Sequence, residues 1–267
     1  MPRLSVADDV ALYYEVRGEG QPLLLLNGLS QSTANWISQS RQLAKRFQVI
    51  VFDSRGQGKT PVGAAPLSAA VLLKDIVALL EHLGLERVNV CGFSYGARIA
   101  LMFAAHHPSR VARLILTSAG LKPRFARRMI FRSWREVLRT GGLEAMAWCA
   151  LPYILGADFI EQYERMIPSM IKASKQRNSV EGLTALMDIM PDFPDAAHDA
   201  ARVQAPSLVL ASPHDPLVDA DSARALAEAI ARGRFQLVEG CGHTIPIEQP
   251  EVWRAAVTDF LEEPDPS

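Results

Sequence analysis

Val88-Asn89-Val90-Cys91-Gly92-Phe93-Ser94-Tyr95-Gly96-Ala97 reads as a short buried strand, a sharp turn and the first turn of a helix. Small residues two before and two after Ser94 let the chain reverse tightly, because neither carries a side chain that would strike the neighbouring backbone. A serine held at such an apex projects its hydroxyl from the end of the strand. The N-terminus of the helix behind it supplies free N–H groups and a positive dipole end.

The context outside this stretch repeats the same unit. Apolar runs at Leu23–Leu26, Val49–Phe52, Leu114–Thr117, Ser207–Ala211 and Phe235–Val238 predict further strands. Runs that are apolar throughout suit a parallel sheet covered on both faces. Val10 to Val16 alternates and predicts a half-exposed strand near a sheet edge. Between the runs lie helical patterns. Ser68–Leu83 carries Leu72, Ile76, Leu79, Leu80 and Leu83 on one face, with Gly84 placed as its C-terminal stop. Further helices are expected over Ala97–His107, Ser222–Ala231 and Pro250–Leu261. Strands alternating with helices predict an α/β protein with a mostly parallel, doubly wound sheet.

One region departs from the rhythm. Residues 122–195 hold only helical patterns, punctuated by Pro152, Pro168, Pro191 and Pro194. They are expected to form a helical lid inserted between a first core part, 1–121, and a second, 196–267.

Composition narrows the function classes. The chain has 267 residues, 28 basic and 29 acidic, so a net charge of −1 lacks the basic excess of a nucleic-acid binder. Three cysteines, Cys91, Cys149 and Cys241, are too few and too far apart for a disulfide framework or a metal cluster. No run reaches the roughly 18 apolar residues of a membrane span. The first residues lack the apolar core of a signal peptide. The cytoplasm is the expected location.

A serine nucleophile needs a base, and the base needs an orienting carboxylate. His243, in Gly242-His243-Thr244, follows the run Phe235–Val238, and Asp215, in His214-Asp215-Pro216, follows Ser207–Ala211. All three residues thus fall past the C-terminal ends of strands, where open α/β sheets place their sites. Asp219 and Asp221 are alternative acids, Asp221 being better suited to cap the helix after it. Asn27-Gly28-Leu29-Ser30 follows another strand, and the N–H groups of Leu29 and Tyr95 are the expected oxyanion donors.

These motifs resemble the α/β-hydrolase-fold serine hydrolases of the lid-bearing esterase, thioesterase and enol-lactonase type. The resemblance covers residues 10–121 and 200–262. It rests on Leu26-Asn27-Gly28, Phe52-Asp53-Ser54-Arg55-Gly56-Gln57-Gly58, Gly92–Gly96, Asp215-Pro216, and Gly242-His243 followed by Pro246 and Glu248-Gln249-Pro250. It implies an eight-stranded sheet, a lid over the triad Ser94, Asp215 and His243, and no cofactor. Asn27 stands where many relatives have histidine. Asn-containing loops are similar to those of 3-oxoadipate enol-lactonases and of the carrier-protein-dependent acyltransferases of rhamnolipid synthesis.

The expected chemistry is hydrolysis of a carboxylic ester or thioester through an acyl-enzyme. Acyl transfer from a carrier protein or coenzyme A, and opening of a lactone or enol lactone, use the same three residues. A non-catalytic ligand binder would not need all three. Trp148, Leu151, Tyr153 and Met187 are expected to line an apolar lid pocket.

Two further patterns stand out. Gly56-Gln57-Gly58-Lys59-Thr60 ends like a phosphate-binding loop, but Asp53 occupies the position that loop requires to be glycine. Asp53 and Arg55 are instead expected to brace the turn. Lys122, Arg124, Arg127, Arg128, Arg132, Arg135 and Arg139 form a basic stripe. It is read as either a solvated helix face or a docking surface for an acidic carrier. The remaining histidines supply no metal-ligand set.

Overall fold

The computed structural model describes residues 2–122 and 125–264. Its strands are β1 (Arg3–Ala7), β2 (Val10–Arg17), β3 (Gln21–Leu26), β4 (Phe47–Phe52), β5 (Val88–Phe93), β6 (Val111–Thr117), β7 (Ser207–Ala211) and β8 (Gly233–Leu237). They form one eight-stranded sheet in the order β1-β2-β4-β3-β5-β6-β7-β8. β1 and β2 pair antiparallel at one edge, and every pairing from β4 to β8 is parallel.

Successive side chains of a strand point to opposite faces, and the core divides accordingly. Leu24, Leu26, Ile50, Phe52, Val88 and Val90 face one apolar cluster, while Leu23, Leu25, Val49, Val51, Cys91 and Phe93 face the other. On the first side pack α2 (Ala69–His82), α3 (Tyr95–His106) and α9 (Ala220–Ala229); on the second pack α1 (Ile37–Leu43) and α11 (Pro250–Glu262). Ser68 caps α2 by accepting from the Val71 N–H, and Gly84, at φ +68°, ends it.

Between β6 and β7 the described residues are helical or irregular. They comprise α4 (Phe125–Ile154), broken at Gly142 where φ is 74°, α5 (Ala157–Gln162), α6 (Ile167–Arg177), α7 (Val180–Ile189) and α8 (Ala196–Ala200). This is the inserted lid. It has a small apolar cluster of its own, centred on Leu151, Leu155, Ile167 and Ile171. Its last helix returns to the core through Asp199, whose side chain is fully buried and lies 2.7 Å from the Arg98 guanidinium on α3. A short helix α10 (Ile245–Glu248) precedes α11.

Three sequence readings are corrected. β1 was not expected, because its residues alternate between exposed and half-buried and form no apolar run. α1 was also missed: Ile-Ser-Gln-Ser-Arg-Gln-Leu has no apolar stripe, and it buries Gln39 and Ser40 instead. Asp219, not Asp221, caps α9, accepting from the Ser222 N–H at 2.9 Å. Among the described residues no helix is long and apolar enough to cross a membrane.

Candidate active site

The turn after β5 places Ser94 at φ 53°, ψ −113°, a conformation that L-residues rarely adopt. The flanking glycines make it possible. A Cβ on Gly92 would lie 2.4 Å from the Gly96 carbonyl oxygen, and one on Gly96 would lie 2.4 Å from that of Leu26. The second contact also sets the elbow directly against the Asn27 loop.

His243 reaches this serine from the loop after β8. Its Nε2 is 2.8 Å from the Ser94 Oγ, and its Nδ1 is 2.7 Å from Asp215 Oδ2. An ionised carboxylate only accepts, so Nδ1 carries the proton and Nε2 is the acceptor for the serine hydroxyl. The other Asp215 oxygen accepts from the Leu217 and Val218 N–H groups at 2.8 and 3.0 Å. With its side chain fully buried, Asp215 has its orientation set by the turn and its remaining oxygen aimed at the imidazole. The sequence reading named these three residues, and the fold brings them into one hydrogen-bonded line.

The N–H groups of Leu29 and Tyr95 donate to no acceptor among the described residues. Tyr95 is the first residue of α3, so its N–H is unpaired by helix geometry. The neighbouring Gly28 N–H, by contrast, is taken by Gln31 Oε1 at 3.0 Å.

Residues 21–142 match the model of a family described as alpha/beta hydrolase fold. A structure of an enol-lactonase from Burkholderia xenovorans LB400 superposes with a TM-score of 0.88 at 27% identity, covering 98% of this chain and all of that one. The chain has the α/β-hydrolase fold, and these similarities support hydrolase activity. Its sequence is 26% identical over 253 residues to the 3-oxoadipate enol-lactonase 2 of Acinetobacter baylyi, covering 94% of this chain and 93% of that one. It is 28% identical over 256 residues to RutD of Caulobacter sp. (strain K31), a protein named for carbamate hydrolysis, with 94% and 95% covered. Together these similarities support a general hydrolytic activity on ester- or lactone-type bonds.

Several further residues position the site: Asn27, Gln57 and Glu248 stand in the quoted motifs without these partners assigned to them, and Ser118 stands in none. Gln57 donates to the carbonyls of Gly28 and Leu29 at 2.7 and 3.2 Å, and Asn27 bonds Phe52, Gln57 and the Trp36 indole. These buried amides bind the loop that carries the Leu29 N–H. Ser118, itself at φ 55°, donates to the His243 carbonyl at 2.7 Å. Glu248 accepts from the Gly242 and Thr244 N–H groups, from the Thr244 hydroxyl and, across to the lid, from the Gly156 N–H at 2.8 Å. The fragment that resembled a phosphate loop is braced as expected. Asp53 accepts from the Thr33 and Lys59 N–H groups, and Arg55 pairs with Asp75 at 2.7 Å.

The expected lid pocket does not assemble from the four residues named for it. Trp148 is 45% exposed, one position and about 100° round the helix from Ala147, which faces the lid cluster. Leu151 belongs to that cluster, Met187 is packed into the main core, and Tyr153 stands edge-on to Trp134. The basic stripe also divides. Arg128, Arg132, Arg135 and Arg139 are exposed, Arg135 pairs with Asp188 and Arg139 with Glu136. Arg127 is half-buried, and Arg124 lies outside the described residues. Among the described residues no group of three His, Cys, Asp or Glu is placed to hold a metal ion.

Proposed function

We propose that the chain is a serine hydrolase that cleaves carboxylic esters or thioesters through an acyl-enzyme. The observation that carries this reading is the position of His243, within hydrogen-bond distance of both Ser94 and Asp215. In the proposed cycle the Ser94 oxygen attacks the carbonyl carbon while His243 Nε2 takes its proton. Negative charge gathers on the carbonyl oxygen, and the Leu29 and Tyr95 N–H groups receive it. Donors of this kind are each worth about 2.7–4 kcal/mol to the transition state. His243 then returns the proton to the departing alkoxide or thiolate. Asp215 holds the imidazole in the required tautomer and stabilises its cationic form. Water, deprotonated by the same histidine, releases the acid.

Lactone opening is a second form of the same cycle, in which the leaving group stays tethered to the acyl chain. The similarity to enol-lactonases along nearly the whole chain favours including it. Residues 1–121 and 196–267 would serve as the catalytic core and 122–195 as the lid that shapes the pocket. Three free cysteines suit a reducing cytoplasm. Docking of an acidic carrier would fall to Arg128 and Arg132, the outward arginines with no acidic partner among the described residues.

Pre-steady-state kinetics with p-nitrophenyl esters test the proposal. A burst of nitrophenol near one equivalent per chain, followed by slower turnover, is expected of an acyl-enzyme. Release of acid in water, unchanged in amount when an alcohol or thiol acceptor is added, separates hydrolysis from acyl transfer. Turnover without an acyl intermediate on Ser94 would overturn the mechanism.

A further inference from the structure

Arg127 is set apart from the other arginines of its helix. It sits in the first turn of α4, in register with Phe131, Trp134 and Leu138 at steps of four, three and four residues. That register is the inward face of the helix: Trp134 is 4% and Leu138 1% exposed. Arg127 itself is half-buried. Its guanidinium carbon lies 5.6 Å from the centre of the Phe131 ring. Among the described residues it has neither a hydrogen bond nor a carboxylate partner, whereas Arg135 and Arg139 both have one.

The start of α4 is held beside the triad. Lys122, just before it, exchanges hydrogen bonds with Ser222 in the first turn of α9, the helix that follows the Asp215 loop. At the far end of α4, the Ile154 carbonyl accepts from the N–H and hydroxyl of Thr244, next to His243. Both ends of α4, which is broken at Gly142, are thus tethered to elements next to the Asp215 and His243 loops. Burial pulls the Arg127 guanidinium below its ordinary range, and the negative charge of Asp215 offsets part of that effect. A second donor on the same face is also unmatched: the indole N–H of Trp134 is buried and finds no acceptor among the described residues.

An arginine stays charged in any protein setting, so a partly desolvated guanidinium with no hydrogen-bonded carboxylate is a standing cost that an incoming anion would relieve. Stacking on Phe131 leaves the edge of its planar fork open, and that edge matches a carboxylate with two parallel hydrogen bonds. We propose that Arg127 is a specificity-determining residue that binds a second, ionised carboxylate of the substrate, so that the preferred substrates are half-esters or lactones of dicarboxylic acids. This rests on the reading of Ser94 as the nucleophile, and the experiment keeps the two apart.

Mono-p-nitrophenyl esters of succinate, glutarate and adipate would each be compared with the neutral ester of the same chain length. At one or more lengths the charged ester should lead in kcat/KM. That ratio should fall roughly 10- to 100-fold in Arg127→Met, as expected for the loss of a hydrogen-bonded charge pair. Arg127→Lys should keep part of it. Neutral esters leading at every length, or an unchanged ratio in a folded Arg127→Met, would overturn the inference. Calorimetric titration of adipate into the Ser94→Ala protein, with and without Arg127→Met, reads binding without turnover. Arg127-dependent binding of adipate with no ester hydrolysis by the wild type would sink the nucleophile reading and leave this one standing. Ester hydrolysis without Arg127-dependent discrimination would do the reverse.

Discussion

Gln57 donates its side-chain amide to the carbonyl of Gly28 at 2.7 Å. Through that bond a residue on the turn after β4 fixes the loop after β3, whose Leu29 N–H is the proposed oxyanion donor. An oxyanion donor works only if it is already aimed when charge develops, so what holds the loop matters as much as the N–H itself.

Replacing Gln57 by alanine leaves the Gly28 and Leu29 carbonyls without these donors. We expect kcat to fall about 10- to 100-fold with a much smaller change in KM, less than the 10²–10³ lost when a donor is deleted outright. Steady-state kinetics on any hydrolysed ester checks this, and restoration by Gln57→Asn would argue against a reach-dependent role.

The elbow is sterically closed at Gly96. A methyl group there would sit 2.4 Å from the Leu26 carbonyl oxygen, which is backbone and cannot swing aside. Gly96→Ala should therefore cost at least about 2 kcal/mol of stability and abolish activity together. Denaturant unfolding monitored beside an ester assay would detect both effects, and an active, stable variant would contradict the geometry.

The lid rejoins the core through a buried charge. Asp199 is fully buried, with Arg98 2.7 Å away and His106 and His198 at 3.7 and 3.9 Å. Arg98 also donates to the Pro194 carbonyl in the segment leading to α8. Removing one partner strands the other, so Asp199→Ala should lose about 3–5 kcal/mol. For a chain of this size that is a Tm lower by roughly 10 °C. Calorimetry tests it, and a Tm within a degree or two of the wild type would show the pair to be dispensable.

The thiols separate by burial. Burial raises Cys241 to about 11, and pushes buried Cys91 up as well. The thiolate is the reactive form, so raising the pKa removes reactivity at pH 8 rather than adding it. Iodoacetamide at that pH should alkylate half-buried Cys149 first in the folded chain, and all three only after unfolding. Peptide mapping by mass spectrometry gives the order. Early labelling of Cys241 would mean that its loop opens.

The parts that were legible in the sequence share a physical property. A strand buried on both faces must be apolar throughout, so β3, β4, β5, β6 and β7 announced themselves. The turn at Ser94 demands glycine at 92 because of its own backbone and at 96 because the Leu26 carbonyl lies against it. Ser94, Asp215 and His243 could be named because few residue types can do their work and each follows a strand end. The illegible parts follow different rules. β1 is a half-exposed edge strand held by backbone bonds, which any sequence can make. α1 buries Gln39 and Ser40 in place of an apolar stripe, with Gln39 donating to the Pro246 carbonyl. Gln57, Ser118 and Glu248 act through hydrogen bonds that cross long stretches of chain, so even where a motif marks the residue, as for Gln57 and Glu248, it does not name the partner. The lid was harder still. Which face of α4 turns inward decides that Trp134 is buried and Arg127 half-buried while Trp148 is exposed, and spacing alone cannot choose that face.

The most direct test of Ser94 as an activated nucleophile is the intact mass of the protein after exposure to a small fluorophosphonate. The wild type should gain one adduct, lost in Ser94→Ala and slowed at least about 100-fold in His243→Ala, since the serine then lacks its base. A folded wild type that takes no adduct, or a Ser94→Ala protein that still takes one, would contradict the proposed mechanism.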